Sequence, residues 1–424
     1  MRYRCLLVIS LLFLAVRVHS QTEAAPQAAS DQPDSAALLQ KIRDLEDRVI
    51  SLEGQVRQLK AEATQPETAR PSVPAAAPST FTSQAGTTGV LGGAGGSAAK
   101  ALNPDISVIG DFISVAGHNS LQPSPSLQMH ESEVGFQAII DPYARGDFFL
   151  SFGEEGVDLE EGYITLTALP AGFVAKVGKM RSAFGKVNTL HNHVLPWVDR
   201  PLVTNNLVGG EDGIDDAGVS IQRILPAPKG IFLEATGQLF RGDSGDDAHP
   251  LFHASTTTDV SAVAHLRAYK DITESTNLDL GLSYARGHND LGTDFLTQLY
   301  GIDATVRWKP LRRSIYHSFV GRGEFIWSQR QQSPAEQRAF GFYTSGDYQL
   351  GRRWFVGGRY DRAGRSEFAN LTDQGGSAVL TYWPSEFSQI RGQYRFTRYN
   401  GNIDANEFLM QLLFSLGAHG AHPF

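Results

Sequence analysis

Histidines are the first residues to weigh for chemistry. His191 and His193 stand two apart, and His419 and His422 three apart near the C-terminus. Imidazole is a good metal ligand, but a closed metal site needs three or four donors. No third donor follows His191-Asn-His193 at a set spacing. Both pairs therefore read as ordinary polar residues, with no metal and no cofactor expected. The sequence has no Gly-x-Ser-x-Gly and no His-Glu-x-x-His. The glycine cluster at 92–96 follows no strand and precedes no Lys-Ser/Thr, so it is not a phosphate loop. An enzyme is not expected.

Charge offers more. The basic residues Lys176, Lys179, Arg181, Arg267, Arg307, Lys309, Arg322, Arg359, Arg391 and Arg395 fall on the polar faces of alternating segments. Glu234, Asp279, Asp303, Glu324, Asp347 and Asp361 share those faces. Guanidinium groups bind phosphate and carboxylate bidentately, so an arginine arc would draw anions. The same residues could equally be ion pairs that stiffen a wall. Residues 101–304 carry 27 acidic against 12 basic side chains, whereas 305–400 carry 15 basic against 7 acidic. The formal net charge of −8 argues against nucleic acid as the partner.

Residues 182–215 hold the third feature. Leu190, Val194, Leu195, Trp197, Val198, Leu202, Val203 and Leu207 are too apolar to stay in water. Among them lie Lys186, His191, His193, Arg200, Glu211 and Asp212. A loop packed inward explains this composition; a lid or a partner-binding surface is the alternative. Basic and acidic sides on one constriction would set a transverse field across a pore.

The elements that must carry these residues have period two. Leu278, Leu280, Leu282 and Tyr284 alternate with Asn277, Asp279, Gly281 and Ser283. Ile390, Gly392, Tyr394 and Phe396 alternate with Gln389, Arg391, Gln393 and Arg395. Such patterning predicts strands with one apolar and one polar face. Sixteen are expected, near 106–117, 129–140, 145–154, 161–168, 172–181, 216–225, 230–241, 259–270, 276–286, 298–309, 314–329, 338–349, 353–363, 375–383, 388–399 and 406–417. Short turns alternate with longer loops near 118–128, 182–215, 242–258, 287–297, 330–337 and 364–374, though the connections near 155–160 and 400–405 are of middling length. A β-sandwich would bury the apolar face; a transmembrane barrel would turn it to lipid and enclose the polar one. Sixteen two-faced strands are too many for one sandwich. Tyr284, Trp308, Trp327, Trp354 and Tyr394 cluster towards strand ends as interfacial girdles would. The fold expected over 104–424 is an all-β, sixteen-stranded antiparallel transmembrane barrel.

The first hundred residues differ. Arg2 and Arg4, an apolar run from Cys5 to Val16 and Val-His-Ser at 18–20 make a secretory signal over 1–20. Cys5, the single cysteine, would leave with it. Residues 21–35 are expected to be disordered. Over 36–62, Leu38, Leu45, Leu52 and Leu59 occupy d and Ile42, Val49 and Val56 occupy a of unbroken heptads, a short coiled coil. Residues 63–103 are a flexible Pro/Ala/Gly-rich linker. β-branched a with leucine d favours two strands. Arg48-Val49-x-x-Leu52-Glu53 instead resembles the Arg-h-x-x-h-Glu pattern of short trimeric coils.

Taken together, signal, coil, linker, sixteen strands and the terminal Phe424 resemble bacterial outer-membrane porins, most closely the phosphate-selective porin O and P family. Val177-Gly-Lys-Met-Arg-Ser-Ala-Phe-Gly185 is similar to that family's fifth-strand pattern. Pro423 before the terminal Phe424 and the acidic first half depart from it. The resemblance implies a homotrimer in outer-membrane lipid, a periplasmic coiled coil, and a constriction formed by the loop after strand five. The function expected is passive diffusion of small hydrophilic solutes with a mild anion preference, for phosphate or carboxylate. A non-selective porin, or a tether whose coil contacts the cell wall, are the alternatives; a hydrolase barrel is disfavoured.

Overall fold

A computed structural model describes residues 104–417 except 155, 247 and 369. The expected signal, coiled coil, linker and terminal aromatic lie outside the described residues. Sixteen strands follow in order: β1 (Asp105–His118), β2 (Leu127–Asp141), β3 (Ala144–Gly153), β4 (Gly156–Leu166), β5 (Phe173–Arg181), β6 (Asp215–Leu225), β7 (Ile231–Phe240) and β8 (Ser261–Thr273). Then come β9 (Thr276–Asn289), β10 (Gly292–Trp308), β11 (Phe319–Arg330), β12 (Gln337–Gln349), β13 (Trp354–Gly364), β14 (Thr372–Ser385), β15 (Ser388–Tyr399) and β16 (Ile403–Gly417). Each pairs antiparallel with its sequence neighbour, and β16 closes onto β1 from Ser107↔Gly417 to His118↔Asn406. Closure leaves no strand edge open. A sandwich is excluded.

Alternation sets the inside and outside. On β9, Asp279, Gly281, Ser283 and Ala285 are buried in the interior while Leu280 and Leu282 face out. On β16, Glu407 is 2% exposed and its neighbour Phe408 51%. A slip of one residue would exchange the two faces along a whole strand, so the hydrophobic pattern fixes the register. Aromatic pairs run along the outer surface, such as Trp354 stacked on Tyr382 with ring centroids 4.5 Å apart. The polarity is that of a membrane barrel: apolar out, polar in.

Several connections depart from expectation, among them the one near 400–405, which is only the three residues 400–402 between Tyr399 and Ile403. β9 and β10 extend to a tight turn at 290–291, so 287–297 is not a long loop. The ten-residue segment 309–318 is instead a long connection on the otherwise short-turned end, because β11 starts only at Phe319. Lys309 sits in that connection, exposed, and does not line the interior. β3 ends at Gly153 and β4 begins at Gly156, so the strand reaches into the connection expected near 155–160.

Candidate functional site

Residues 182–214 fold into the barrel. Ser182 N–H donates to Ile214 O at 2.8 Å, and the Asn188 amide bridges Ser182 O and Ile214 O, drawing the two ends of the segment together. Gly185 then takes φ +61° where any Cβ would collide with the Glu324 carboxylate. Only glycine tolerates that combination. Gly185 N–H donates to Ser283 Oγ at 2.9 Å and Lys186 N–H to Glu324 at 2.7 Å. Further on comes helix α1 (Leu202–Leu207). Leu195, Trp197, Val203 and Leu207 are buried with Leu299, Ile326, Tyr343 and Val379 of the wall in one apolar cluster. Trp197 meets Tyr343 edge-on at 5.2 Å. The lumen thus contains a small hydrophobic core of its own.

The segment is fastened at its far end. Asp199 accepts from Arg359 and Arg395, each at 2.9 Å, and from Gln393 Nε2 at 2.5 Å. Val198 N–H donates to Gln393 Oε1, and Arg391 donates to Trp197 O at 3.0 Å. Arg359 also lies over the Trp197 ring at 4.8 Å. In a ring of sixteen strands β13 stands opposite β5, eight places round. A segment leaving β5 and clamped to Arg359 of β13 therefore crosses the lumen. Burial would push the Asp199 carboxyl up; Arg359 and Arg395 more than offset that and hold it well below the usual carboxylate range.

Most of the expected pore arginines are engaged. Arg267 forms a bidentate pair with Asp279, Arg322 pairs with Asp347, and Arg359 pairs with Asp361 as well as Asp199. Arg307 lies 3.7 Å from Asp279, and Arg395 pairs with Glu407. Arg391 is buried among Gln411, Gln389 and Thr381. Arg181 is buried too, donating to Asp212 O and 3.7 Å from Glu160. Lys179 bridges Asp158 and Asp215, and Lys176 lies over the Tyr163 ring. Within the inserted segment, Arg200 braces Val187 O, Leu190 O and Asn192. Glu211 accepts from Asn192 and approaches His130 at 3.1 Å.

His191 and His193 meet residues that sequence spacing did not reveal. His191 Nδ1 lies 2.8 Å from Glu133 and 2.7 Å from Glu160, and its Nε2 lies 2.9 Å from Glu161. Burial alone would lower this imidazole's pKa, but the three carboxylates hold it well above the ordinary histidine range. His193 faces Glu131 and Glu133. Two β-bulges build the cluster. Between β3 and β4 the register passes from Phe149↔Glu161 to Leu150↔Leu159, which leaves Glu160 as the extra residue. Consecutive carboxylates can then both reach His191. The β1–β2 register skips His130 in the same way, between Asp111↔Glu131 and Phe112↔Met129. Bulges re-aim side chains in this manner. The acidic doublet Glu160-Glu161 within a period-two strand was the available signal.

Water-sized space remains on both sides of the crossing segment. One chamber of about 300 Å³ is lined by Lys176, Lys186, Arg267, Glu234, Asp279 and Asp303. Another of about 300 Å³ borders Glu131, Glu160, Arg181 and Glu211. It shares Asp158, Asp212 and Asp215 with a space of about 560 Å³ that also touches Asp216, Asp243 and Asp246. That mouth, at the long-loop end, is acidic on balance, although Lys179 and Arg241 also line it and pair with four of its aspartates.

No family model matches the chain. An uncharacterized protein of Aquifex aeolicus (strain VF5) is 28% identical over 386 residues, covering 77% of this chain and 81% of that one. Among solved structures, a loop L8 deletion mutant of OmpT, an outer membrane protein of Vibrio cholerae, superposes with a TM-score of 0.52 at 9% identity, over 74% of this chain and 99% of that one. The outer membrane channel DcaP of Acinetobacter baumannii gives 0.50 at 12% identity, over 74% and 96%. The fold is that of outer-membrane porin-type barrels. Kinship with the phosphate-selective O and P family in particular is not among these likenesses.

Proposed function

We propose that this chain is an outer-membrane channel for passive diffusion of small hydrophilic solutes, narrowed by residues 182–214. The observation that carries the reading is a segment crossing the lumen of a barrel with an apolar exterior, with polar chambers on either side of it. An enzyme reading has no comparable support, and a tether with a sealed lumen would not conduct. Planar-bilayer recording of the purified chain tests this: discrete conductance steps are expected, and a silent, correctly folded barrel overturns it.

The acidic mouth favours entry of cations, because its carboxylates act together where field lines converge. A mild preference for anions such as phosphate or carboxylate is the second reading; Lys176 and Lys186 at the other chamber support it. Reversal potential in a potassium chloride gradient separates the two. A homotrimer, held by Leu38, Ile42, Leu45, Arg48, Val49, Leu52, Glu53, Val56 and Leu59 in the periplasm, completes the proposal, with cell-wall contact through the same coil.

A further inference from the structure

We propose that Glu131, Glu133 and His193 form a binding site for one divalent transition-metal ion, oriented by His191, at the seam between the crossing segment and the barrel wall. The three side chains come from β2 and from the inserted segment, and each is buried. Their ligand atoms all lie within 4.8 Å of one another. His193 Nδ1 stands 3.9 Å from Glu131 Oε1 and 3.7 Å from Glu133 Oε2. Those separations are too long for hydrogen bonds. They are close to the roughly 3.4 Å between two donors on one tetrahedral ion with bonds of about 2.1 Å. Glu131 also lies against Glu160, so the buried carboxyl groups of Glu131, Glu133 and Glu160 converge beside the two imidazoles. Carboxyl groups crowded together away from water are costly unless a cation or a shared proton sits between them.

The surroundings fit the same ligand. His191 holds Glu133 Oε2 at 2.8 Å and is itself fixed by Glu160 and Glu161. That is the outer layer that keeps a coordinating carboxylate in place. One imidazole with two carboxylates suits zinc, manganese or iron(II) and leaves a position for water. Calcium, which prefers six to eight oxygens, suits it poorly. An entry path exists, since Glu131 lines the chamber joined through Asp158, Asp212 and Asp215 to the acidic mouth. This inference does not depend on whether the barrel conducts.

The test uses the full chain in detergent, stripped with chelator and titrated with Zn2+ by calorimetry, with Co2+ absorption as a second readout. One Zn2+ per chain is expected, with E131Q and H193Q each weakening it by more than the roughly 10- to 100-fold that loss of an outer-shell partner costs, while the barrel stays heat-modifiable on gels. Co2+ should show visible bands of a low-coordinate site. Stoichiometric binding unchanged in both variants would place the ion at the acidic mouth and overturn the site. So would no binding by wild type, or Ca2+ binding as tight as Zn2+. Should a variant fail to fold, the Co2+ spectrum of wild type decides: purely octahedral, aquo-like bands exclude the imidazole donor.

Discussion

Removing the Asp199 carboxylate should free residues 182–214 from the far wall. D199A leaves Arg359, itself 4% exposed, beside only Asp361, and strips Arg395 of one of its two acids. Breaking a buried pair by one partner costs about 3–5 kcal/mol. Thermal unfolding should shift down and single-channel conductance should become larger or noisier; unchanged noise and stability would rule out the clamp. Its pH dependence follows from the lowered pKa. A depressed carboxyl contributes fully above its unfolded value of about 3.9, and the contribution is lost as pH falls through the folded value. The stability difference between wild type and D199A should therefore hold steady on acidification to about pH 4 and shrink only in stronger acid. Aspartate 199 was not legible as important: an Asp beside Arg200 in an apolar segment looks like any loop charge until Arg359 and Arg395 are seen to converge on it.

For the crossing segment as an element, deletion of about ten residues within 188–205 should raise both conductance and the size limit for solutes, measured with polyethylene glycols of graded radius. W197A is the milder version. It removes a fully buried aromatic worth about 3–5 kcal/mol, and should loosen the segment without shortening it. If neither changes the size limit, the segment does not set the bore. The strands are readable in sequence because period two is written locally: the alternation over 388–399 coincides with β15. The apolar run Leu195 to Leu207 likewise announced that it was packed. What it packs on is non-local, and no spacing in the chain reveals that Trp197 meets Tyr343. Bulges are equally hidden: period two gives His130 an ordinary strand position and leaves Glu160 in the turn before the expected strand 161–168, whereas both sit at register shifts.

The whole molecule's charge preference divides between its two ends. A reversal potential favouring potassium is expected from the acidic mouth, weakened by D212N combined with D243N; a chloride-selective wild type would return the weight to Lys176 and Lys186. Deleting 36–62 should lower oligomer stability on cross-linking while the barrel still forms, and full-length chains that cross-link only as monomers would remove the coil from the account. The arginine-rich segment 305–400 was visible as composition; that its guanidiniums spend themselves on neighbouring carboxylates required the folded wall. One feature of that wall governs how it must be made. The seam between β1 and β16 joins Gln411 to Asp111 across 300 positions of sequence. Pairing so distant cannot begin until nearly the whole barrel has been delivered, and contacts of this range make folding slow. Until then both terminal strands present unpaired edges, the part of any sheet most prone to joining the wrong neighbour. The interval before closure is thus when the chain most needs an escort.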